Sequence, residues 1–259
     1  MKKWFGTMGI IIGCLGLIPV GSLHAQQIVA IDFSKAQGYV DGPIIGQPAG
    51  QAVKWQDGGG NATGFPVFTL ANETLVVAAD GADGGKWLLL PIKEQTGKFT
   101  VTFDWQYVGP ADGSVDVGFC ISDTANFNTD GDGLPTFNEE GVMCRMQEVD
   151  KVIDARNGDL AGGGAYAAFE VVSFTDGKKF SMRYEVNAAA DVQTFNVFVR
   201  PEGAAEVSLA EDFGFRRGDQ TGLNVIAIWE DGNFADTKVI IDNIKITGPA
   251  TVTDWELHE

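Results

Sequence analysis

Apolar and polar positions alternate along most of the chain. Lys98–Tyr107 places Phe99, Val101, Phe103, Trp105 and Tyr107 on one face, and Ser114–Ile121 does the same with Val115, Val117, Phe119 and Ile121. Phe180–Val186, Thr194–Arg200, Asn224–Trp229 and Lys238–Ile246 continue the series. Period-two alternation bounded by Gly, Asp and Asn clusters is the pattern of a half-buried strand. No window carries a helical stripe with caps at its ends. Many short strands without helices predict an all-β chain folded as a two-sheet antiparallel sandwich.

The N-terminus departs from this pattern. Met1-Lys2-Lys3 precedes an apolar run from Trp4 to Val20 and then Gly-Ser-Leu-His-Ala25. A basic start, an apolar centre and a small residue at the cut predict a secretory signal peptide over residues 1–25. Two alternatives stay open, a lipoprotein signal at Cys14 and a retained anchor. Residues 26–259 then read as one β-sandwich domain, with no linker, repeat or low-complexity tract and no second apolar stretch long enough for a bilayer. The destination is extracellular, periplasmic or cell-surface.

Composition narrows the partners. The formal net charge is −17, and loss of Lys2 and Lys3 makes it more negative. Such a chain is a poor partner for nucleic acid or an anionic membrane, and a neutral glycan suits it better than a polyanion. Cys120 and Cys144 remain after cleavage, at the ends of two apparent strands. Export favours a disulfide between them, worth about 3 kcal/mol in chain-entropy terms; two buried thiols are the alternative.

Between those cysteines lies the most specific motif. Asn128, Asp130 and Asp132 occupy positions 1, 3 and 5 of a twelve-residue calcium-loop pattern. Leu134 supplies the carbonyl at 7, Thr136 stands at 9 and Glu139 at 12, while Gly133 falls where the loop turns sharply. Calcium is a hard cation that takes six to eight oxygens, and this register offers them. The insertion spans about residues 121–143. Its flanks do not read as amphipathic helices, and its DGDGLP core resembles the loops of thrombospondin type 3 and dockerin repeats.

The order of features along the chain is similar to that of bacterial concanavalin A-like lectin/glucanase jelly rolls. The resemblance rests on Ile28–Ser34, Gly38–Gln47, Trp55, Gly141–Met146, Asp154–Gly158, Lys179–Glu185, Gln193–Val199 and Val239–Ile246. It implies a concanavalin A-like jelly roll and speaks for fold more than for activity. The closing Asp242-Asn243-Ile244 resembles jelly-roll carbohydrate-binding families in which the aspartate holds a structural calcium beside the first strand. That resemblance implies a possible second site at Asp32 and Asp242.

Candidate chemistry is sparse. After cleavage the single histidine is His258, which argues against Ser-His-Asp triads and His-ligated zinc. The Glu-x-Asp-x-x-Glu strand of the glucanases is absent, as are the Arg-x-Glu-x-Arg and Gln-x-His strands of jelly-roll alginate lyases. Sugar recognition uses aromatic ring faces and planar polar groups, and Trp55, Tyr107, Arg145, Gln147 and Arg183 are the candidates. Three readings follow: a secreted calcium-stabilised carbohydrate-binding protein, a polysaccharide lyase or glycoside hydrolase, or an adhesive surface protein.

Overall fold

The computed structural model describes residues 24–60, 67–78, 85–110, 116–126, 139–147, 150–218, 220, 222–231 and 237–251. Among them the strands form two antiparallel sheets. The first runs in the order β14 (Val207–Gly214), β13 (Thr194–Pro201), β12 (Lys179–Asn187), β7 (Lys98–Val108) and β16 (Lys238–Thr251). It continues through β5 (Thr74–Ala78), β4 (Phe68–Ala71) and β2 (Gly42–Pro43), and β1 (His24–Ile31) joins beside β16. The second sheet runs β11 (Ala165–Ser173), β10 (Val152–Asn157), β9 (Val142–Gln147), β8 (Val117–Ser122), β15 (Leu223–Glu230), β6 (Lys86–Gln95) and β3 (Gln56–Gly60). Below they are called the nine-stranded and the seven-stranded sheet. This is the two-sheet antiparallel sandwich that the alternation predicts, in the jelly-roll form that the resemblance implies.

One core fills the space between the sheets. The five alternating residues of β7 all point into it, and so do Val117, Phe119 and Ile121 of β8. Phe103 and Phe119 stack across the interface with ring centroids 3.9 Å apart, and Tyr184 meets Phe103 edge-on at 5.5 Å. The buried hydroxyl of Tyr184 donates to the carbonyl of Phe119 at 3.2 Å, which ties the two sheets by a polar contact as well. An apolar ring set of this size supplies the main driving force for the layers to close.

β16 is the organising strand of the nine-stranded sheet. It keeps β7 on one side from Lys238 to Thr247 but changes its other neighbour, from β5 opposite Lys238–Ile241 to β1 opposite Ile244–Thr251. The switch falls at Asp242 and Asn243. Asn243 adopts φ 54° and the register with β7 slips there, so the changeover is a β-bulge. β1 begins at His24, so the expected cleavage after Ala25 would remove the first two residues of this strand. Among the described residues no helix is long and apolar enough to cross a membrane.

The structure corrects the disulfide. Cys120 and Cys144 are both free and buried. Their strands are neighbours, but Cys144 pairs with Phe119 while Cys120 pairs with Met143. An offset of one residue sends the two side chains to opposite faces of the sheet. Cys144 lies in the core between the sheets and Cys120 on the outward side.

Candidate functional site

The outward face of the seven-stranded sheet gathers aromatic and charged side chains from five strands. A continuous cross-strand row runs over five strands: Trp87 opposite Trp229, Trp229 opposite Gly118, Gly118 opposite Arg145, and Arg145 opposite Asp154. Alternation puts all of them outward, because Leu88, Ile228, Phe119, Cys144 and Ile153 face the core. A Cβ on Gly118 would lie 2.1 Å from Trp229 Cε2, so the indole rests directly on the glycine. Gly58 makes the same room for Trp87, where a Cβ would meet the tryptophan Cβ at 2.7 Å. Trp87, Trp229, Cys120, Met143 and Ala227 form a second apolar cluster on this face, although they point away from the main core.

Beside the indoles sits a charged cluster with fixed geometry. Arg145 donates from Nε to Asp154 Oδ1 at 2.9 Å, from Nη2 to Asp154 Oδ2 at 3.3 Å and from Nη1 to Asp116 Oδ2 at 3.0 Å. Its guanidinium also lies 3.4 Å from the ring centroid of Tyr166. Arg156, the cross-strand partner of Tyr166, stands 4.9 Å from the same centroid. Fork-shaped pairing and stacking hold these planar groups in single orientations. Burial pushes the Asp154 carboxyl above its usual value, opposed by its bond to Arg145. Burial and the nearby Glu140 carboxyl push the Tyr166 phenol up, which keeps it protonated.

Glu140 closes one end of the cluster. It is fully buried, Cys120 Sγ donates to its Oε1 at 3.3 Å, and Arg216 Nη1 faces its Oε2 at 3.8 Å. Burial raises its pKa to about 8 despite Arg216, so the carboxyl is mostly protonated near neutrality. Next to it Glu139 is also buried, and its carbonyl accepts from Gln220 Nε2 at 2.8 Å. Gln220 Oε1 accepts from the Asp123 amide at 2.6 Å. One buried glutamine therefore fastens both feet of the excursion between β8 and β9.

The candidates from the sequence scatter. Asn128, Asp130, Asp132, Leu134 and Thr136 lie outside the described residues, and Glu139 alone of that set is described. Asp32 and Asp242 do approach one another at the β16 bulge, with Asp104 nearby. Their oxygens are used locally: Asp32 Oδ1 takes the Ser34 amide at 3.0 Å and Asp242 Oδ1 the Asn243 amide at 2.7 Å. Among the described residues no group of three or more His, Cys, Asp or Glu side chains is placed to hold a metal ion.

Trp55 is not an exposed platform. It is 1% exposed in the core, stacked on Phe33 at 6.2 Å, with Nε1 donating to Tyr39 at 3.2 Å. The apolar ring outweighs its Gly-rich surroundings. Tyr107 is likewise in the core, its hydroxyl donating to the Pro110 carbonyl at 2.9 Å. Gln147 shares the outward face with Arg145 but accepts the Asp150 amide at 2.8 Å within its own turn. Arg183 lies on the far side of the sandwich, on the outward face of the nine-stranded sheet, paired with Glu185 and Glu206 and 3.8 Å from the Phe198 centroid. Arg145 and Arg183 cannot serve one site. Asp116, Glu140, Trp229 and Arg216 escaped the sequence reading, because nothing along the chain marks residues that only cross-strand register brings together.

No protein-family model matches the chain, and no curated relative matches its sequence. Solved structures share the fold. Lectin II from Ulex europaeus aligns over 86% of this chain and 99% of its own at 10% identity, with a TM-score of 0.54. Arcelin-5, a lectin-like defense protein from Phaseolus vulgaris, aligns over 82% and 98% at 10% identity with a TM-score of 0.52. The catalytic domain of a glycoside hydrolase family 131 protein from Coprinopsis cinerea aligns over 81% and 89% at 10% identity with a TM-score of 0.51. At such identities the likeness establishes the concanavalin A-like jelly roll and no more.

Proposed function

We propose that the protein is a secreted, calcium-stabilised carbohydrate-binding β-sandwich protein, and that it binds extracellular glycan on the outward face of the seven-stranded sheet around Arg145 and Tyr166. The observation that carries this reading is the half-buried Tyr166 ring on that face with the Arg145 guanidinium 3.4 Å from its centroid, itself fixed by two carboxylates. Sugars are recognised by such planar donors and ring faces. Side chains already locked in place lose little freedom when a ligand arrives. The fold shared with lectins supports the class of ligand by analogy.

Binding suits the geometry better than cleavage. A retaining glycosidase needs two carboxyl groups about 5–5.5 Å apart flanking the scissile bond. Here Asp116 and Asp154 are both engaged by Arg145, and Glu140 is sealed beneath the surface. Calcium belongs to the proposal through the residue 128–139 loop, whose feet Gln220 fastens. Bound there, the ion would stiffen the excursion next to Glu140. Export belongs to it through residues 1–25.

The test is calorimetric titration of a neutral and acidic oligosaccharide panel into the protein with calcium present, repeated on Tyr166→Ala. The proposal expects at least one ligand and a loss of about tenfold or more on substitution, the range for truncating an anchoring aromatic. Absence of any binding overturns it. Release of new reducing ends or unsaturated products overturns it in favour of an enzyme.

A further inference from the structure

We infer that the glycan is anionic, and that Arg156 receives its carboxylate or sulfate ester group; this rests on the glycan-binding reading above. Three arginines converge on the site, and two donate hydrogen bonds to acceptors within the fold. Arg145 is held by Asp116 and Asp154. Arg216 faces Glu140 and donates from Nε to the Gly162 carbonyl at 3.2 Å.

Arg156 differs from both. Its Nε is buried without a hydrogen-bond acceptor, and its guanidinium stands 4.9 Å from the ring centroid of Tyr166, with Glu140, Asp154 and Asp159 acting on it through space alone. A buried donor without an acceptor is rare in native proteins and calls for one from outside the chain. The nearby carboxylates direct their hydrogen bonds elsewhere. Asp154 Oδ1 and Oδ2 both accept from Arg145, Asp159 Oδ1 accepts the Ala161 and Gly163 amides at 2.9 Å each, and Glu140 Oε1 accepts from Cys120 while its Oε2 faces Arg216 at 3.8 Å. The fold thus holds a planar cation on the outward face and supplies its Nε no hydrogen-bonding anion.

A guanidinium offers paired donors in a plane, which matches carboxylate and sulfate oxygens better than sugar hydroxyls. This reverses the expectation of a neutral partner drawn from the net charge of −17. Net charge governs approach from beyond a Debye length, whereas contact chemistry governs the last few ångströms.

The experiment compares three hexamers by titration calorimetry in the same calcium buffer: a neutral β-1,4-glucose hexamer, a galacturonate hexamer and a sulfated galactose hexamer. The wild type is expected to bind an acidic hexamer at least about tenfold more tightly than the neutral one. Which acidic hexamer binds separates carboxylate from sulfate. Arg156→Gln should lose about ten- to hundredfold for that hexamer, the range for a charge-assisted hydrogen bond. Arg156→Lys should lose less, and Arg200→Gln on the opposite sheet nothing, with all variants checked for unchanged melting. Equal affinity for neutral and acidic hexamers in the wild type overturns the inference and leaves glycan binding standing, and this comparison needs no variant to fold. Unchanged acidic affinity in Arg156→Gln overturns it as well. Silence towards all three hexamers overturns both readings.

Discussion

Gly118→Ala is a small change with a large expected effect. The added Cβ would stand 2.1, 2.2 and 2.5 Å from Trp229 Cε2, Nε1 and Cζ2. Carbon contacts relax only near about 3.5–4.0 Å, so the indole must retreat by roughly 1.5 Å. It has little room, being 1% exposed and flanked by Trp87 with ring centroids 6.2 Å apart. Overpacking of this kind costs about 1–3 kcal/mol. Alanine recovers about 0.5–1 kcal/mol of backbone entropy relative to glycine in a strand, leaving a net loss of roughly 1–2 kcal/mol. At about 2–4 °C per kcal/mol for a domain of this size, the melting temperature should fall by roughly 2–8 °C. Calorimetric melting of the single and double variants with Trp229→Leu checks the cause, because a smaller side chain removes the clash. A coupling of at least about 1 kcal/mol between the two positions is expected. If Gly118→Ala melts with the wild type, or costs the same in the Trp229→Leu background, the indole does not rest on that glycine and the reasoning fails.

Glu140 makes stability depend on pH. Its folded pKa of about 8 lies above the ordinary 4.5, so the folded state holds the proton more tightly; this contribution is complete below about pH 4.5 and is lost as pH rises through 8, on the order of 5 kcal/mol in all. Chemical denaturation from pH 5 to 9 should show that decline, and Glu140→Gln should flatten it; an equal slope in the variant contradicts the assignment. The thiols of Cys120 and Cys144 should resist alkylation until the protein unfolds, and reductant should leave its melting unchanged; rapid labelling of the native protein refutes their burial. Gln220→Ala strands the Asp123 amide and the Glu139 carbonyl and should cost about 2–4 kcal/mol. In the same variant calcium should raise the melting temperature less than in the wild type, and an equal calcium shift would dissociate Gln220 from the loop.

The sequence made the layers legible and left the site mostly hidden, for a physical reason. Alternation through Phe99, Val101, Phe103, Trp105 and Tyr107 reports which residues leave water, and the structure buries all five. β8 shows the limit. Its pattern predicts one buried face, yet Gly118, Cys120 and Ser122 on the other face are covered too. Cover over a strand comes from residues remote in sequence, here the Trp229 ring. Trp55 was misplaced because its glycine neighbours speak for a loop while its own ring area decides burial. The disulfide failed on register, which spacing along the chain does not encode. Arg145 was found because charged residues on an apolar strand stand out. Asp116, Arg156, Tyr166 and Trp229 join it only through pairings that the chain order does not reveal.

The most direct test of the central claim is hydrogen–deuterium exchange of the protein with and without its best oligosaccharide ligand. The account predicts added protection in peptides from β9, β10 and β11, across residues 142–173, with β12 and β13 unchanged. Protection confined to β12 and β13, on the opposite face of the sandwich, would contradict it.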